Sequence, residues 1–259
     1  MSPRIMDARG KRVLVTAGAA GIGLAIAREF LAAGAEVHVT DISAAALTDA
    51  ISSGLEGTTG DASLAADADR VLDDVTRRFQ GLDVLVNNVG VAGPTGGIET
   101  LSDAEVERTI AINLQSHFLF LNRFVPLLKA SSANPSIVSI GSVAGRLGYG
   151  LRTPYAATKW AIVGLVKSLA VELGPQGVRA NAILPGVVAG ERMDRVIAAR
   201  AEAAGVSVED MRASYLAKIS MRRMVDAADV AVLALFLASD LARNITGQAI
   251  SVDGNVEYL

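Results

Sequence analysis

The sequence predicts an α/β fold in which one doubly wound, parallel sheet of about seven strands is covered by helices on both faces. Short runs of β-branched residues and leucine alternate with amphipathic segments along the whole chain. Such alternation is typical of parallel strands joined by helical crossovers. Glycine is abundant, with 25 copies, and aromatic residues make up only 4%, which suits close packing of helices on a sheet. Because no linker, repeat or low-complexity stretch interrupts the pattern, we expect residues 1–259 to form a single domain.

The strand predictions are short apolar runs that end at turn-forming residues. The first ends in a glycine-rich turn, the second at Asp41, and the sixth at Pro185-Gly186. The predicted strands are residues 12–16, 36–40, 55–59, 82–86, 136–140, 178–184 and 248–252.

The helix predictions follow helical spacing and terminal signals. Ser102 and Glu105 form a capping box, in which each side chain satisfies a free backbone donor of the other. Pro154 is suited to the first turn of a helix. The predicted helices are residues 21–33, 44–52, 64–79, a long helix from 102 to about 128, 154–173 and 226–237. Residues 190–216 are polar and alanine-rich, and we expect several helical pieces there.

Charge and composition exclude several classes of protein. The net charge is −3 and no cluster of lysine and arginine stands out, so we expect no nucleic-acid partner. The chain has no cysteine, and its two histidines, His38 and His117, lack a metal-ligand spacing, so we expect no metal site. The N-terminal residues lack the apolar core of a signal peptide, and the longest apolar runs reach about half of a membrane span. These features predict a cytoplasmic protein with no membrane partner.

The first motif reads TAGAAGIG and occupies residues 16–23, between a predicted strand and a predicted helix. Glycine allows the backbone to approach a pyrophosphate, and the helix N-terminus offers free N–H groups. The alternative is a tight turn without a ligand. The residues expected to bind the dinucleotide here are Gly18, Gly21, Ile22 and Gly23.

Asp41, at the end of the second strand, indicates whether the cofactor is NAD(H) or NADP(H). A carboxylate there accepts hydrogen bonds from both ribose hydroxyls of an adenosine and repels the additional phosphate of NADP. Neither Ala20 nor Ile42 supplies a cation for that phosphate. The sequence therefore predicts NAD(H), although a solvated or helix-capping aspartate is the alternative interpretation.

Tyr155 and Lys159 lie four residues apart at the start of a predicted helix, and therefore on one helix face. An ammonium beside a tyrosine favours the phenolate and makes the pair usable as an acid and base. The alternative is a chance pair on the surface. Ser142 follows the fifth strand and should lie at the same end of the sheet as Tyr155, whereas nearby Ser139 has the wrong spacing.

Together these motifs resemble the short-chain dehydrogenase/reductase family, whose fold is the Rossmann sheet, over residues 11–252. The resemblance implies that Ser142 holds the substrate oxygen, that Lys159 also binds the nicotinamide ribose, and that Asn113 in AINLQS holds a water linking the lysine to solvent. It implies further cofactor contacts from Asp61, Ala62, Asn88, Gly90, Pro185, Gly186 and the main chain of Val188. The chain departs from the family pattern at Ala17, where a glycine is usual, and at Gly190, where threonine is common.

Residues 190–216 correspond to the part of the chain that forms the substrate lid in the family. They contain four arginines, which would suit an anionic substrate, but the preferred interpretation is a solvated helical face. Arg146, Tyr149 and Arg152 lie between Ser142 and Tyr155, in a segment that lines the substrate pocket in the family. We hypothesise that Arg146 or Arg152 binds the acidic group of a substrate.

The sequence thus predicts an NAD-dependent dehydrogenase or reductase acting on a small secondary alcohol or ketone. Three alternatives remain open: an NADPH-dependent 3-oxoacyl thioester reductase, a catalytically silent dinucleotide-sensing protein, and a sugar-nucleotide epimerase or dehydratase. The last generally needs a larger substrate domain than this chain has room for. The helix after Tyr155 is apolar around much of its circumference, and family members pair this helix between subunits, so we expect a homotetramer.

Overall fold

The computed structural model describes residues 6–257, and the ends of the predicted domain lie outside that range. A seven-stranded sheet forms its centre, which confirms the predicted strand number. Most strand boundaries differ from the prediction by at most two residues. The strands are β1 (Arg12–Thr16), β2 (Glu36–Asp41), β3 (Glu56–Thr59), β4 (Val84–Asn87), β5 (Ser136–Ile140), β6 (Arg179–Pro185) and β7 (Ala249–Val252).

Helices occupy most of the connections between the strands. At the start of the last helix, the Asp229 side chain accepts a hydrogen bond from the Asp226 N–H at 3.1 Å. The helices are α1 (Gly21–Ala32), α2 (Ala44–Ser52), α3 (Ala65–Phe79), α4 (Asp103–Ile110), α5 (Ser116–Lys129), α6 (Thr153–Leu173), α7 (Glu191–Ala204), α8 (Val208–Ala217) and α9 (Ala227–Ala238).

The sheet is parallel throughout, and its strand order is β3-β2-β1-β4-β5-β6-β7. The chain winds outward in one direction through β1, β2 and β3, and in the other direction from β4 onward. The winding therefore reverses between β1 and β4. In such sheets a ligand crevice lies beyond the carboxyl ends of the strands at this point.

Two apolar cores lie on opposite faces of the sheet because successive strand side chains point to opposite faces. Val13 and Val15 of β1 face a core with α1 and α9, while Leu14 faces a core with α3, α5 and α6. Full burial of each such side chain contributes about 1.5–3 kcal/mol from hydrophobic transfer. The arrangement fixes the carboxyl ends of the strands relative to the helices that follow them.

The long helix predicted from residue 102 to about 128 is interrupted. Its capping box is present, with Ser102 and Glu105 bonded to each other's backbone N–H groups, but five residues between α4 and α5 form a π-helical segment, Ala111–Gln115. The prediction of one regular helix was wrong at this point. π-Helical turns are rare and frequently occur at functional sites, and a prediction from regular α-helical spacing does not include them.

The histidines are buried within the fold. Burial lowers the pKa of His38 to about 4 and that of His117 to about 3, so both rings are neutral at neutral pH. His38 Nε2 lies 2.9 Å from Thr58 Oγ1 on the neighbouring strand. Between residues 6 and 257 there is no cluster of three potential metal ligands, and no helix is long and apolar enough to cross a bilayer.

Candidate active site

A cleft of about 700 Å³ opens beyond the carboxyl ends of the strands, between the sheet and α7. It brings together most of the residues that the sequence singled out. The predicted residues lining it are Gly21, Ile22, Asp41, Asn88, Gly90, Ser142, Tyr155, Lys159, Pro185, Gly186 and Val188. Gly18, Gly23, Asp61, Ala62 and Asn113 lie outside its lining.

The N-terminus of α1 forms one end of the cleft. Ala20 occupies the capping position and provides no side-chain acceptor for the first N–H groups of the helix. Gly21 adopts a φ of 52°, and a Cβ at this position would meet no atom within 4 Å. Free N–H groups at the positive end of a helix dipole, beside open space, fit the pyrophosphate of a dinucleotide.

Two glycines outside the lining allow the turn to pack closely. A Cβ on Gly23 would lie 2.1 Å from the carbonyl oxygen of Ala17, and one on Gly18 would lie 2.7 Å from Val39. Ala17 adopts the left-handed conformation, with a φ of 49°, where a glycine would be free of the resulting strain of about 1–2 kcal/mol. Asn88 Nδ2 fastens the turn by donating to the carbonyl oxygen of Ala17 at 3.0 Å.

Asp41 is held in place at the end of β2. Its Oδ2 accepts a hydrogen bond from the Ala19 N–H at 3.1 Å, and its Oδ1 accepts one from the Ser43 N–H at 3.0 Å. These bonds leave further lone pairs on both oxygens, so the carboxylate can still accept from ribose hydroxyls. The side chains that the glycine-rich turn contributes to the cleft contain no basic group.

Asp61 and Ala62 precede α3 and form a local turn. Asp61 Oδ1 accepts hydrogen bonds from the Ser63 N–H at 2.9 Å and from the Ser63 hydroxyl at 2.7 Å. These contacts give Asp61 a structural role in the turn. Its contact with adenine remains a prediction from the family resemblance.

Ser142, Tyr155 and Lys159 meet at the middle of the cleft. Ser142 is buried, and its Oγ accepts a hydrogen bond from the Ala144 N–H at 3.2 Å. Since that bond uses an oxygen lone pair, the hydroxyl hydrogen can still be donated to a ligand. Lys159 Nζ lies 5.8 Å from the centre of the Tyr155 ring and donates to the carbonyl oxygen of Ile140 at 2.9 Å. Ser139 does not line the cleft.

Lys159 is a buried base with an unusual proton affinity. Complete burial, reinforced by the positive charge of Arg192, lowers its pKa from 10.5 to about 7. A lysine that titrates near neutral pH inside a cleft is typical of an active site.

Asn113 lies in the π-helical segment and is fully buried behind the lysine. Its Oδ1 accepts from the Val91 N–H at 2.7 Å, and its Nδ2 donates to the Val91 carbonyl oxygen at 3.1 Å. Gly90 separates Asn113 from Lys159: a Cβ there would lie 3.4 Å from Asn113 Oδ1 and 3.3 Å from Lys159 Nζ. The π-helical turn therefore places the Asn113 amide on the buried side of Lys159.

The segment from β6 to α7 closes the cleft opposite α1. Gly186 packs closely against Asp253: a Cβ added to Gly186 would lie 2.7 Å from the Cα of Asp253. Gly190 precedes α7 with a φ of 134° and a ψ of 171°, a region essentially restricted to glycine. Threonine, which is common here in the family, would be strained in this backbone conformation. The segment that corresponds to the family's substrate lid, called the lid segment below, forms α7 and α8, in agreement with the expectation of several helical pieces.

The arginines near the substrate end differ in their surroundings. Arg146 is engaged away from the cleft: it pairs with Asp253 at 2.7 Å and donates to the Val256 carbonyl oxygen. Arg152 lines the cleft, as do Arg192 and Arg195 of the lid segment. Arg192 and Arg195 therefore face the cleft at least in part. Of the two arginines that the sequence offered as an anchor for an acid, Arg152 is better placed than Arg146 because only Arg152 lines the cleft.

Sequence reasoning missed one part of the site, the contact between Tyr149 and Tyr215. Their hydroxyl oxygens lie 2.6 Å apart and join the loop before α6 to α8 of the lid segment. Both rings line the cleft, and the Arg200 guanidinium lies 5.0 Å from the centre of the Tyr149 ring. The two tyrosines are far apart in sequence, so no local pattern indicates their contact.

Comparisons with known proteins agree with this geometry. A family model described as enoyl-(acyl carrier protein) reductase matches residues 17–256. Galactitol 2-dehydrogenase of Agrobacterium fabrum is 34% identical, over 96% of this chain and 98% of that protein. The 3-oxoacyl-(acyl-carrier-protein) reductase of Escherichia coli is 33% identical, over 97% and 99%.

The fold is also similar to solved structures. The crystal structure of an NAD⁺-bound xylitol dehydrogenase superposes with a TM-score of 0.90 at 26% identity, over 95% of this chain and 99% of that one. The sheet order, the cleft and the sequence relationship all agree. The chain belongs to the short-chain dehydrogenase/reductase family of oxidoreductases.

Proposed function

We propose that this protein transfers a hydride between NAD(H) and a secondary alcohol or ketone, with Tyr155 as the acid and base. The observation that supports this most is the shared cleft: Ser142, Tyr155 and Lys159 lie in the same cavity as the uncapped N-terminus of α1 and Asp41. One domain, residues 1–259, would then provide both the cofactor site and the substrate site.

The residues present fit a dinucleotide. The N-terminus of α1 with Gly21 and Ile22 would hold the pyrophosphate, Asp41 the adenosine ribose, and Lys159 the nicotinamide ribose. Gly18 and Gly23 shape the turn, and Asn88, Gly90, Pro185, Gly186 and Val188 would line the rest of the cofactor path, with Asp61 and Ala62 expected near the adenine. When bound, a nicotinamide dinucleotide supplies the hydride acceptor or donor.

Side chains of the protein would transfer the proton and bind the substrate oxygen. Tyr155 would remove the hydroxyl proton of an alcohol, or return one to a carbonyl oxygen in the reverse direction. Ser142 would donate its hydroxyl hydrogen to the substrate oxygen and stabilise its developing negative charge. Lys159, in its protonated form, would favour the phenolate of Tyr155. Asn113 would position a water beside Gly90, through which the proton reaches solvent.

The test compares NADH with NADPH and includes a panel of secondary alcohols and ketones. We expect NADH to bind at least about tenfold more tightly than NADPH in a fluorescence titration, which corresponds to about 1.4 kcal/mol of discrimination. We also expect turnover of at least one compound with NAD(H). Binding of NADH without turnover on any compound would instead favour the dinucleotide-sensing alternative.

Asp41→Ser should change the cofactor preference. Removing the carboxylate removes its repulsion of a 2′-phosphate and its hydrogen bonds to ribose hydroxyls, so the NADPH-to-NADH ratio of kcat/KM should rise by about 10- to 100-fold. Steady-state kinetics with both cofactors measure this ratio. The control is Asp49→Ser on the exposed outer side of α2, which should leave the ratio unchanged. An unchanged ratio in Asp41→Ser would contradict the role given to this carboxylate.

The second candidate is an NADPH-dependent 3-oxoacyl thioester reductase. The match to the enoyl-(acyl carrier protein) reductase family model and the similarity to the Escherichia coli 3-oxoacyl-(acyl-carrier-protein) reductase favour it. Asp41 and the lack of a basic side chain in the glycine-rich turn favour NAD(H). Faster reduction of a 3-oxoacyl thioester with NADPH than of any free ketone with NADH would establish this alternative.

We further propose that the protein is a homotetramer and that α5 and α6 form one of its two kinds of subunit interface. A groove of about 620 Å³ between these helices is lined mainly by apolar side chains, including Phe118, Leu121 and Leu165. Phe118 is 45% exposed and Trp160 of α6 is 52% exposed, which is unusual for such large apolar groups. A second copy of the same helices would cover them symmetrically.

Gly164→Glu should separate the proposed tetramer. Gly164 lines the groove, and no atom lies within 4 Å of the position where a Cβ would be, so the substitution adds a charge to the groove without disturbing the fold of one subunit. Light scattering should show a tetramer for the unmodified protein and a dimer or monomer for the variant. A monomeric unmodified protein at micromolar concentration would contradict the proposal.

A further inference from the structure

The substrate end of the cleft contains a buried arginine with an unusual environment. Arg152 is the residue before α6, three positions from Tyr155, and its exposed fraction is only 2%. It lines the cleft beside Tyr149 and Tyr155. Its Cζ lies 5.1 Å from the centre of the Tyr155 ring and 5.3 Å from that of Tyr149.

The hydrogen bonds of Arg152 are incomplete. One terminal nitrogen donates to the carbonyl oxygen of Ala92, while Nε is buried without a partner among the described residues. No carboxylate between residues 6 and 257 forms an ion pair with Arg152, in contrast to Arg12 and Arg146, which pair with Asp83 and Asp253. A buried guanidinium normally has an anionic partner, because burying an uncompensated charge is costly.

The other charges around the cleft do not supply this partner. Lys159 and Arg192 add positive charge to the lining. Its two carboxylates, Asp41 and Glu191, are engaged elsewhere: Asp41 binds the glycine-rich turn, and Glu191 is exposed and 3.7 Å from Arg195. The substrate end of the cleft therefore has an excess of positive charge close to the reacting groups.

We propose that the substrate is a short hydroxy acid, or the corresponding oxo acid, whose carboxylate binds Arg152. This inference rests on the proposed function, since it names the substrate class of the same site. The carboxylate would accept hydrogen bonds from Nε and the remaining terminal N–H groups in the forked geometry that guanidinium offers. The reaction stays the one proposed above: the carbinol carbon loses a hydride to NAD⁺ and its hydroxyl proton to Tyr155.

The position of Arg152 limits the length of the substrate. Because its guanidinium lies 5.1 Å from the Tyr155 ring, the anionic group must be only a few bonds from the carbon that reacts at Tyr155. A phosphate at the far end of a long thioester carrier would not meet this requirement. A carboxylate two to four carbons from the hydroxyl is the chemistry that fits.

The experiment uses matched substrate pairs. Racemic 2- and 3-hydroxy acids of four to six carbons, and racemic 4-hydroxy acids of five or six carbons, are compared with their methyl esters in the NAD⁺-dependent reaction. We expect at least one acid to exceed its ester in kcat/KM by about tenfold or more, because the neutral ester cannot form a bidentate ion pair with Arg152. Arg152→Gln should lower kcat/KM for that acid by about 10- to 100-fold, mainly through KM, and change the ester by less than about threefold.

Two further variants distinguish a role of Arg152 in binding the substrate carboxylate from a purely structural role. Arg152→Lys keeps the charge and should recover part of the preference for the acid, which a purely structural role would not require. The matched control is Arg212→Gln, which removes an arginine of the lid segment that pairs with Asp194 and does not line the cleft, and should leave the acid-to-ester ratio unchanged. Calorimetry with butyrate, which has no hydroxyl to oxidise, should show binding to the NAD⁺ complex that weakens at least about tenfold in Arg152→Gln.

The outcomes distinguish this inference from the proposed function. Turnover of esters and neutral alcohols that depends on Tyr155, with no preference for acids and no selective effect of Arg152→Gln, overturns the inference and leaves the proposed function standing. An equal loss for the acid and the ester also overturns it, since Arg152 would then only hold the loop at Ala92. Absence of turnover with every compound, together with absence of butyrate binding, overturns both.

Discussion

Replacing Tyr155 with phenylalanine should reduce turnover at least about 10³-fold, because the substitution removes only the hydroxyl that transfers the proton. The aromatic ring keeps its surroundings: it lies 6.4 Å from the Tyr149 ring in an edge-on arrangement and 5.1 Å from Arg152. The affinity for NADH should therefore change by less than about threefold. The measurement is kcat on the best alcohol or ketone, combined with a fluorescence titration of NADH.

The matched control for this variant is Tyr149→Phe, which also removes one phenolic hydroxyl from the cleft. Its hydroxyl bonds to Tyr215 rather than serving as the proposed acid, so activity should fall by less than about tenfold. Turnover by Tyr155→Phe within tenfold of the unmodified protein would show that another group supplies the proton.

Replacing Lys159 with methionine should have two opposite effects, a loss of activity and a gain in stability. Turnover should fall about 10²- to 10³-fold because the charge that favours the Tyr155 phenolate disappears. The cofactor-free protein should become more stable, because methionine of similar volume replaces a buried, costly ammonium. Loss of function with gain of stability would identify Lys159 as a residue kept for the chemistry.

The pH dependence of stability follows from the direction of the Lys159 shift. Its pKa is about 7 in the folded protein and 10.5 as a free side chain, so between these values the unfolded chain binds more protons. The free energy of unfolding should therefore increase as pH rises through this window, by on the order of 2 kcal/mol between pH 7 and pH 9 from this group alone. Below pH 7 Lys159 is protonated in both states, and the destabilisation from its buried ammonium is then at its full value.

Urea unfolding of the cofactor-free protein at pH 7 and pH 9 measures this difference. We expect the increase in Lys167→Met, which removes a lysine that donates to the Gly247 carbonyl oxygen at the surface, and its absence in Lys159→Met. The same increase in both variants would show that another group is responsible.

Much of the fold and of the central site could be predicted from the sequence. Strand patterns such as residues 12–16 are local, and the reversal between β1 and β4 follows from parallel connectivity, which places Ser142 and Tyr155 at one end of the sheet. Spacing of four residues placed Lys159 on the same helix face as Tyr155. These relations depend on short stretches of chain, and for that reason the sequence reveals them.

Features that depend on distant contacts could not be predicted in the same way. Regular helical spacing does not indicate the π-helical turn around Asn113, and the Tyr149–Tyr215 contact joins segments that are remote in sequence. Arg146 and Arg152 looked equivalent from sequence alone. The fold shows that Arg146 forms an ion pair with Asp253. Arg152 lines the cleft instead and has no carboxylate partner among residues 6–257.

The most direct test of the central claim follows the hydride itself. NADH carrying deuterium at both C4 positions is incubated with the protein and the ketone or oxo acid that reacts best, and the product is examined by mass spectrometry and NMR. The proposed chemistry predicts one deuterium on the new carbinol carbon, regardless of which face of the cofactor is used, and at least about 10³-fold less of this deuterated product with Tyr155→Phe over the same time. NADH that binds tightly but never delivers deuterium to any carbonyl compound would contradict the assignment as a dehydrogenase.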